Sequence, residues 1–150
     1  MTGKSNFLLP TNLESPGAVQ FWQGLQTGKF LAPRCLSCGE LFFPPRSHCP
    51  ECLEDSFVWE ELSGKGVLYS WTELFFAQPE FDTPFFLGLI DLAEGIGRIA
   101  ARISKDKTEE LYIGMPVLIK ILQHEDGMAI YYAEPARAED SGLSSVRNTI

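Results

Sequence analysis

Residues 35–52 read CLSCGELFFPPRSHCPEC and hold all four cysteines of the chain. The cysteines form two Cys-x-x-Cys pairs, Cys35–Cys38 and Cys49–Cys52, with ten residues between the pairs. Two pairs at this spacing are typical of a metal site in which two tight knuckle turns present four sulfurs to one ion. Gly39 can supply the positive φ that the first turn can require, and Pro50 stiffens the second turn. The pattern predicts one zinc ion per chain, bound by Cys35, Cys38, Cys49 and Cys52.

Other uses of these cysteines are less favoured by the sequence. Two disulfides match the number of cysteines, but nothing else in the chain indicates secretion, and in a reducing compartment thiols at this spacing favour metal. A single iron in the same cage, as in rubredoxin, stays open because geometry alone does not separate iron from zinc. His48 lies beside Cys49, but four thiolates already complete the cage, so we predict that His48 is a neighbour of the site.

The overall composition narrows the class of protein. A chain of 150 residues fits one domain, with a metal-held appendage at most. The net charge of −8 and the absence of a basic run argue against nucleic acid as the main partner, because phosphate binding rests on clustered Lys and Arg. No hydrophobic stretch reaches the length of a membrane span, and an acidic surface disfavours anionic membranes. We therefore expect a cytoplasmic protein without a membrane partner.

A short helix is predicted before the cysteines. Ser15-Pro16 is typical of a helix start and Gly28 of a stop, which places an amphipathic helix from about Pro16 to Thr27. Its aromatic pair, Phe21-Trp22, is wide for so short a helix. Two interpretations stay open: the pair packs on the chain's own core, or part of this face binds another protein. The candidate residues of such a partner interface are Phe21, Trp22 and Leu25.

The two-residue period of β-strands begins at Phe57. A first strand is predicted to begin within residues 57–62, and residues 64–66 are predicted to form a turn. Five further strands, joined mostly by short turns, follow that turn. We predict these strands at residues 67–76, 85–92, 98–103, 117–123 and 128–133. Five antiparallel strands at this spacing fit a closed barrel of the OB type. The predicted fold is mainly β: an N-terminal helix, a four-cysteine rubredoxin-like zinc ribbon and a five-stranded OB-type barrel. The predicted divisions are an N-terminal segment (1–29), the zinc ribbon (30–56), the barrel (57–135) and a tail (136–150).

The order of these parts resembles a known family. Its motifs in this chain are Phe21-Trp22-x-Gly24-Leu25, Gly28-Lys29-Phe30, the two cysteine pairs, Phe43-Pro44-Pro45-Arg46, Gly64-x-Gly66-x-x-Tyr69-Ser70 and Tyr112-Ile113-Gly114-Met115-Pro116-Val117. Over about residues 18–135 the chain is similar to small zinc-ribbon plus OB-fold proteins long labelled a domain of unknown function. Members of that family accompany thiolases and thiolase-like acyltransferases or aldolases that act on acyl-coenzyme A.

The resemblance implies an accessory subunit. It implies a thiolase-fold large subunit as the partner, most simply in a heterotetramer with two copies of each chain. It also implies that the enzyme needs this subunit for its activity. It also implies that a coenzyme A thioester is shared with the partner. Arg34, Arg46 and Lys65 lie in or beside the ribbon and the first barrel turn, so they are the candidate coenzyme A contacts. Ordinary surface charge is the other interpretation of each of them.

The residues themselves indicate a non-catalytic chain. All four cysteines are committed to metal, which leaves no thiol to act as an acyl nucleophile. The only histidines are His48 in the ribbon and His124 at a predicted strand end, and a closed four-thiolate metal offers no open position for substrate. We predict no catalytic residue. The alternative functions are single-stranded nucleic-acid binding, with Tyr69 and Trp71 stacking on bases, and rubredoxin-like electron transfer by iron.

Overall fold

A computed structural model of the chain describes residues 16–79, 81–106, 109–125, 127–137 and 140. Within them lie one helix and seven strands. Their bounds are α1 Pro16–Gln26, β1 Leu31–Cys35, β2 Phe57–Glu61, β3 Lys65–Leu74, β4 Phe85–Leu92, β5 Arg98–Ile103, β6 Pro116–Gln123 and β7 Ala129–Pro135. None of the helical structure in this part of the chain is long and apolar enough to cross a membrane.

Helix α1 ends where the sequence predicts, within one residue. The N–H of Gly28 donates to the carbonyl of Leu25 at 3.0 Å, and Gly28 adopts a φ of +79°. That left-handed conformation ends helices and favours glycine. The hydroxyl of Thr27 also donates to the carbonyl of Gly24 at 2.9 Å, which satisfies one of the open carbonyls of the last turn. The predicted N-cap, Ser15, lies outside the described residues.

The five strands β3 to β7 close into a barrel in the order β3-β4-β5-β7-β6. The pairs are antiparallel except β5 with β7, which meet in parallel at Ile103 and Ala133. The predicted five-stranded barrel is therefore confirmed, and no strand bound is shifted by more than about two residues. The largest local difference between the predicted and the observed barrel is at Gly66. We predicted this residue in a turn, but it is buried within β3. A Cβ at Gly66 would stand 2.5 Å from Cγ2 of Ile90, so the close approach of β3 and β4 requires glycine there.

We predicted that the barrel begins at residue 57, but the strand that begins there belongs to a different sheet. Phe57–Glu61, strand β2, pairs antiparallel with β1, from Leu31↔Glu61 to Cys35↔Phe57, and forms a separate two-stranded sheet. Its hydrogen bonds therefore tie it to the ribbon and not to the barrel. A boundary after Glu61 describes the pairing better than the predicted one at residues 56/57, and the division of the chain into these units remains our proposal.

An aromatic cluster joins the helix, the ribbon and the barrel. The ring of Phe21 lies 5.9 Å from Phe30, 5.4 Å from Phe43 and 6.1 Å from Tyr131, each in an edge-to-face arrangement. Such arrangements are favourable for aromatic rings. Phe43 comes from the loop between the cysteine pairs and Tyr131 from β7, so this cluster, which we call the aromatic junction, links three parts of the fold.

The aromatic junction corrects the predicted partner interface. Phe21 is 4% exposed and Leu25 is fully buried in the chain's own core, so neither is available to a partner in this structure. Trp22 is half-buried and packs against the same core. The physical reason is that the side of α1 carrying Phe21 and Leu25 covers β1 and the end of the barrel formed by β6 and β7. The first of the two interpretations, packing on the chain's own core, holds for Phe21 and Leu25.

Substitution of Gly17 by alanine should loosen the contact between α1 and the ribbon. A Cβ at Gly17 would stand 2.5 Å from the carbonyl carbon of Arg46 and 2.7 Å from the amide nitrogen of Ser47. Both are backbone atoms, so no side-chain rotation can relieve the clash. Alanine is the better helix former, but overpacking of this kind costs about 1–3 kcal/mol. We expect a lower free energy of unfolding for Gly17→Ala in urea titrations. Gln20→Ala, on an exposed position of the same helix, is the control and should be nearly neutral; equal stability of both variants would contradict the tight contact.

Candidate metal centre

The four predicted ligand atoms come together at the tips of two knuckles. The four Sγ atoms of Cys35, Cys38, Cys49 and Cys52 all lie within 4.8 Å of one another. Two of the separations, Cys35–Cys52 and Cys38–Cys49, are 3.5 Å. Four sulfurs, each about 2.3 Å from one zinc ion, would stand about 3.8 Å apart, so the arrangement fits a tetrahedral zinc site. All four cysteines are free thiols, which disfavours the disulfide interpretation.

The two knuckles have the same backbone geometry. The N–H of Gly39 donates to the carbonyl of Cys35 at 3.0 Å, and the N–H of Leu53 donates to the carbonyl of Cys49 at the same distance. Gly39 has a φ of +78° and Leu53 a φ of +65°. The first value bears out the predicted role of Gly39. The second is unusual because a left-handed conformation costs a residue with a Cβ about 1–2 kcal/mol. Backbone strain of this kind persists only where the surroundings enforce it, and closure of the second knuckle around an ion would do so.

The thiols of the site differ in their acidity. A hydrogen bond from the backbone amide of Cys38 is the main cause that lowers the pKa of Cys35 to about 7. The backbone amide of Glu40 lowers the pKa of Cys38, but desolvation and the neighbouring thiols raise it further, to about 12. The thiolate of Cys35 therefore forms readily at neutral pH. Ionisation of further thiols is opposed, because it would bring more negative charges together. A divalent cation relieves that opposition, which is how such a donor set comes to bind metal with release of protons.

The ribbon has little apolar core of its own. Cys35, Phe42 and Cys49 form a small buried cluster, and the ring of Phe57 lies 5.5 Å from that of Phe42. Two phenyl rings bury too little apolar surface to hold about twenty residues of irregular backbone against their conformational entropy. The four cysteines therefore suit a structural ion, which in such modules supplies much of the folding free energy.

Arg34 is occupied within the chain. Its Nη2 donates to Oε1 of Glu60 at 2.9 Å, and its Nη1 donates to the carbonyl of Gly39 at 2.7 Å. The ion pair raises the pKa of Arg34 and, through the same hydrogen bonds, lowers the pKa of Glu60. Arg34 thus ties the first knuckle to β2. Because its guanidinium already has these partners, we remove Arg34 from the candidate coenzyme A contacts.

Arg46 and Lys65 are exposed and lie in different parts of the chain. Arg46 is in the loop between the two cysteine pairs, and Lys65 begins β3 opposite Leu118 of β6. The structure thus does not assemble the predicted contacts into a single site. Among the described residues, neither side chain makes a hydrogen bond or an ion pair.

A cavity that sequence reasoning missed lies between α1, the ribbon loop and β2. Its volume is about 420 Å³, and its walls are formed by Gly17, Gln20, Ser47, His48, Asp55, Phe57 and Trp59. None of the predicted coenzyme contacts is among these residues. The walls come from three separate segments of the chain, so no local motif could have indicated the cavity.

The similarity of this chain to known proteins covers two modules, the zinc ribbon and the barrel. The family model of the ChsH2 rubredoxin-like zinc ribbon domain matches residues 22–58, and that of the ChsH2 C-terminal OB-fold domain matches residues 59–121. A DUF35 domain-containing scaffold protein of Methanothermobacter thermautotrophicus is 31% identical over an alignment 121 residues long, which covers 75% of this chain and 90% of that protein. The chain belongs to this DUF35 family of zinc-ribbon and OB-fold proteins. The match to a zinc ribbon supports zinc as the ion of the four-cysteine site.

Two further relatives are matched over less of their own length. A DUF35 domain-containing scaffold protein of Methanocaldococcus jannaschii is 39% identical over 87 residues, 56% of this chain. The benzoylsuccinyl-CoA thiolase subunit BbsA of Thauera aromatica is 37% identical over 99 residues, 65% of this chain. This DUF35 chain thus spans 61% and 62% of the length of these two relatives.

A solved structure shows the same fold. A chain of the Ltp2-ChsH2(DUF35) aldolase superposes on this one with a TM-score of 0.76 at 24% identity, over 86% of this chain and all of that one. The similarity shows that the helix, ribbon and barrel of this DUF35 chain form a known architecture.

Proposed function

We propose that this DUF35 chain is a non-catalytic, zinc-containing accessory subunit of an acyl-CoA thiolase, or of a thiolase-like acyltransferase or aldolase, which needs it for activity. The observation that carries the proposal is the relationship to BbsA, whose name makes it a subunit of a benzoylsuccinyl-CoA thiolase. The partner would be a thiolase-fold large subunit, most simply with two copies of each chain, because symmetric assembly repeats each interface.

The chemistry of the chain supports the non-catalytic part of this proposal. All four of its thiols converge on one point, so a bound ion leaves no cysteine for attack on a thioester. His124 directly follows β6, in a turn where the N–H of Gly127 donates to the carbonyl of His124 at 3.0 Å. Because a bound ion occupies all four thiols, no cysteine is left for His124 to activate, and we assign no catalytic role to this histidine.

Coenzyme A contacts are a finer part of the proposal. The coenzyme carries phosphate groups, which exposed cations can bind as point charges or as bidentate donors. Arg46 and Lys65 remain the candidates because both are exposed. We propose that they approach the coenzyme only in the complex, where the thioester is shared between this chain and the large subunit.

The nucleic-acid alternative is disfavoured by the barrel surface. The guanidinium of Arg98 lies 3.3 Å from the centroid of the Tyr69 ring, and it is paired with Asp91 at 2.7 Å. One face of Tyr69 is therefore covered, and the cation beside it is already neutralised. Trp71, the second proposed stacking residue, packs edge-to-face with Phe86 at 5.8 Å. These contacts leave little of the open aromatic platform on which bases stack.

Purification of the tagged full-length chain from its native source tests the proposal. We expect a thiolase-fold protein to co-purify and to be identified by mass spectrometry. The separated large subunit should lose at least about tenfold in turnover of its acyl-CoA substrate and regain it when this chain is added back. The chain alone should show no turnover. Recovery without any thiolase-fold protein, or turnover by this chain alone, would contradict the proposal.

A further inference from the structure

One peptide group of the first knuckle contacts a ligand of the four-cysteine site. The N–H of Glu40 donates a hydrogen bond to the sulfur of Cys38. Hydrogen bonds of this kind stabilise the negative charge of a thiolate and orient the ligand, as the outer contacts of metal ligands commonly do. The carbonyl of the same peptide group belongs to Gly39. Because a peptide group is planar, whatever holds that carbonyl also sets the direction of the N–H.

Arg34 holds this carbonyl from the end of β1. Its Nη1 donates to the carbonyl oxygen of Gly39 at 2.7 Å, and its Nη2 and Nε donate to the two carboxylate oxygens of Glu60. The contact at two points with Glu60 fixes the plane of the guanidinium. Arg34 pairs with Val58 across β1 and β2, so Glu60 lies diagonally opposite on the same face, within reach of a long side chain. A cation on the carbonyl also polarises the peptide group and strengthens its N–H as a donor.

The second knuckle has the same bond to sulfur without the same support. The N–H of Glu54 donates to the sulfur of Cys52, and the carbonyl of that peptide group belongs to Leu53. His48 occupies the position that corresponds to Arg34, directly before the first cysteine of its pair. Within the described part of the chain, the side chain of His48 makes no hydrogen bond with the carbonyl of Leu53. The two knuckles therefore offer an internal comparison, one with a side chain on this carbonyl and one without.

We propose that Arg34 is a positioning residue of the zinc site, which strengthens zinc binding by fixing the peptide group that donates to Cys38. The described hydrogen bonds of Arg34 include none to a sulfur, so it acts through Gly39 and Glu40. Glu60 acts one step further out, because it orients Arg34. The inference concerns the retention of zinc by this chain, and it does not depend on the partner proposed above.

The zinc affinity of the full-length chain, measured by competition with a chromophoric chelator, tests the role of Arg34. Arg34→Ala should bind zinc at least about tenfold more weakly, which is the effect typical of outer contacts of metal ligands. His48→Ala is the matched control, since it removes the corresponding side chain of the second knuckle, and its affinity should stay within about twofold of the parent. Parent-like affinity of Arg34→Ala, or an equal loss in both variants, would overturn the inference.

Further variants separate positioning from a general loss of structure and cover poor folding of Arg34→Ala. Arg34→Lys retains one donor and should recover part of the lost affinity. Glu60→Ala leaves β1 unchanged and should also weaken zinc binding, but it should add little to Arg34→Ala, because Glu60 acts through Arg34. The ion pair is 38% and 45% exposed, and exposed pairs contribute little to stability, so the circular dichroism of the barrel should stay that of the parent. Additive losses, or parent-like zinc affinity of a folded Glu60→Ala variant, would count against the role of Arg34 and overturn the inference.

Discussion

A Cys49→Ser variant is expected to lose its zinc and the folded ribbon together. Cys49 is fully buried, and its sulfur lies 3.5 Å from that of Cys38, so serine would leave three thiolates around an ion that needs four ligands. Binding of a structural zinc contributes about 10–16 kcal/mol in small zinc modules, far more than the two phenyl rings of the ribbon can replace. Metal analysis should fall from about one zinc per chain to nearly none. The barrel has its own apolar strands, so most of its β-structure should remain in circular dichroism.

The control for this prediction changes a neighbour of the ligands. Ser37 is exposed and lies between two ligands in the sequence, and Ser37→Ala should keep the full zinc content. Hydrogen exchange separates the modules, because in Cys49→Ser the amides of β1 and β2 should lose protection while those of β4 keep it. Zinc retained in full by Cys49→Ser would contradict the four-thiolate site. A red protein with visible charge-transfer bands would assign iron to the site in place of zinc.

A Phe21→Ala variant is expected to lose about 3–5 kcal/mol of stability. Phe21 is 4% exposed and contacts the rings of Phe30, Phe43 and Tyr131, so its removal leaves a cavity at the aromatic junction. The free energy of unfolding is measured by urea titration followed by circular dichroism. Trp22→Ala is the companion variant and should cost less, because Trp22 is only half-buried. A Phe21→Ala variant as stable as the parent would return Phe21 to the list of interface residues.

The features that the sequence predicts well depend on short-range patterns. The spacing of Cys35, Cys38, Cys49 and Cys52 is enough to place four sulfurs on two knuckles, because each turn is decided by a few neighbouring residues. The five barrel strands follow from a two-residue period interrupted by glycine turns, as at Gly95, whose φ is +71°. Local geometry of this kind requires no knowledge of the tertiary structure.

The features that the sequence does not predict depend on which distant segments meet. The pattern Phe57-Val58-Trp59 indicates a strand, but nothing in it says that its partner is β1 and not a barrel strand. The aromatic pair of α1 is likewise equally compatible with a core and with an interface until Phe43 and Tyr131 are known to lie beside it. The cavity walls and the pairing of Arg34 with Glu60 are long-range features in the same sense.

The pairing of Cys35 with Phe57 brings the two ends of the metal-binding stretch side by side. Residues 36–56 are therefore one long insertion between β1 and β2, which leaves the two-stranded sheet and returns to it at the same place. A segment with this property can be lengthened, shortened or exchanged during evolution without rerouting the rest of the polypeptide. The knuckle tips, where Leu36 is 65% and Leu53 is 73% exposed, can thus diverge among relatives without a change in the two-stranded sheet to which they are attached.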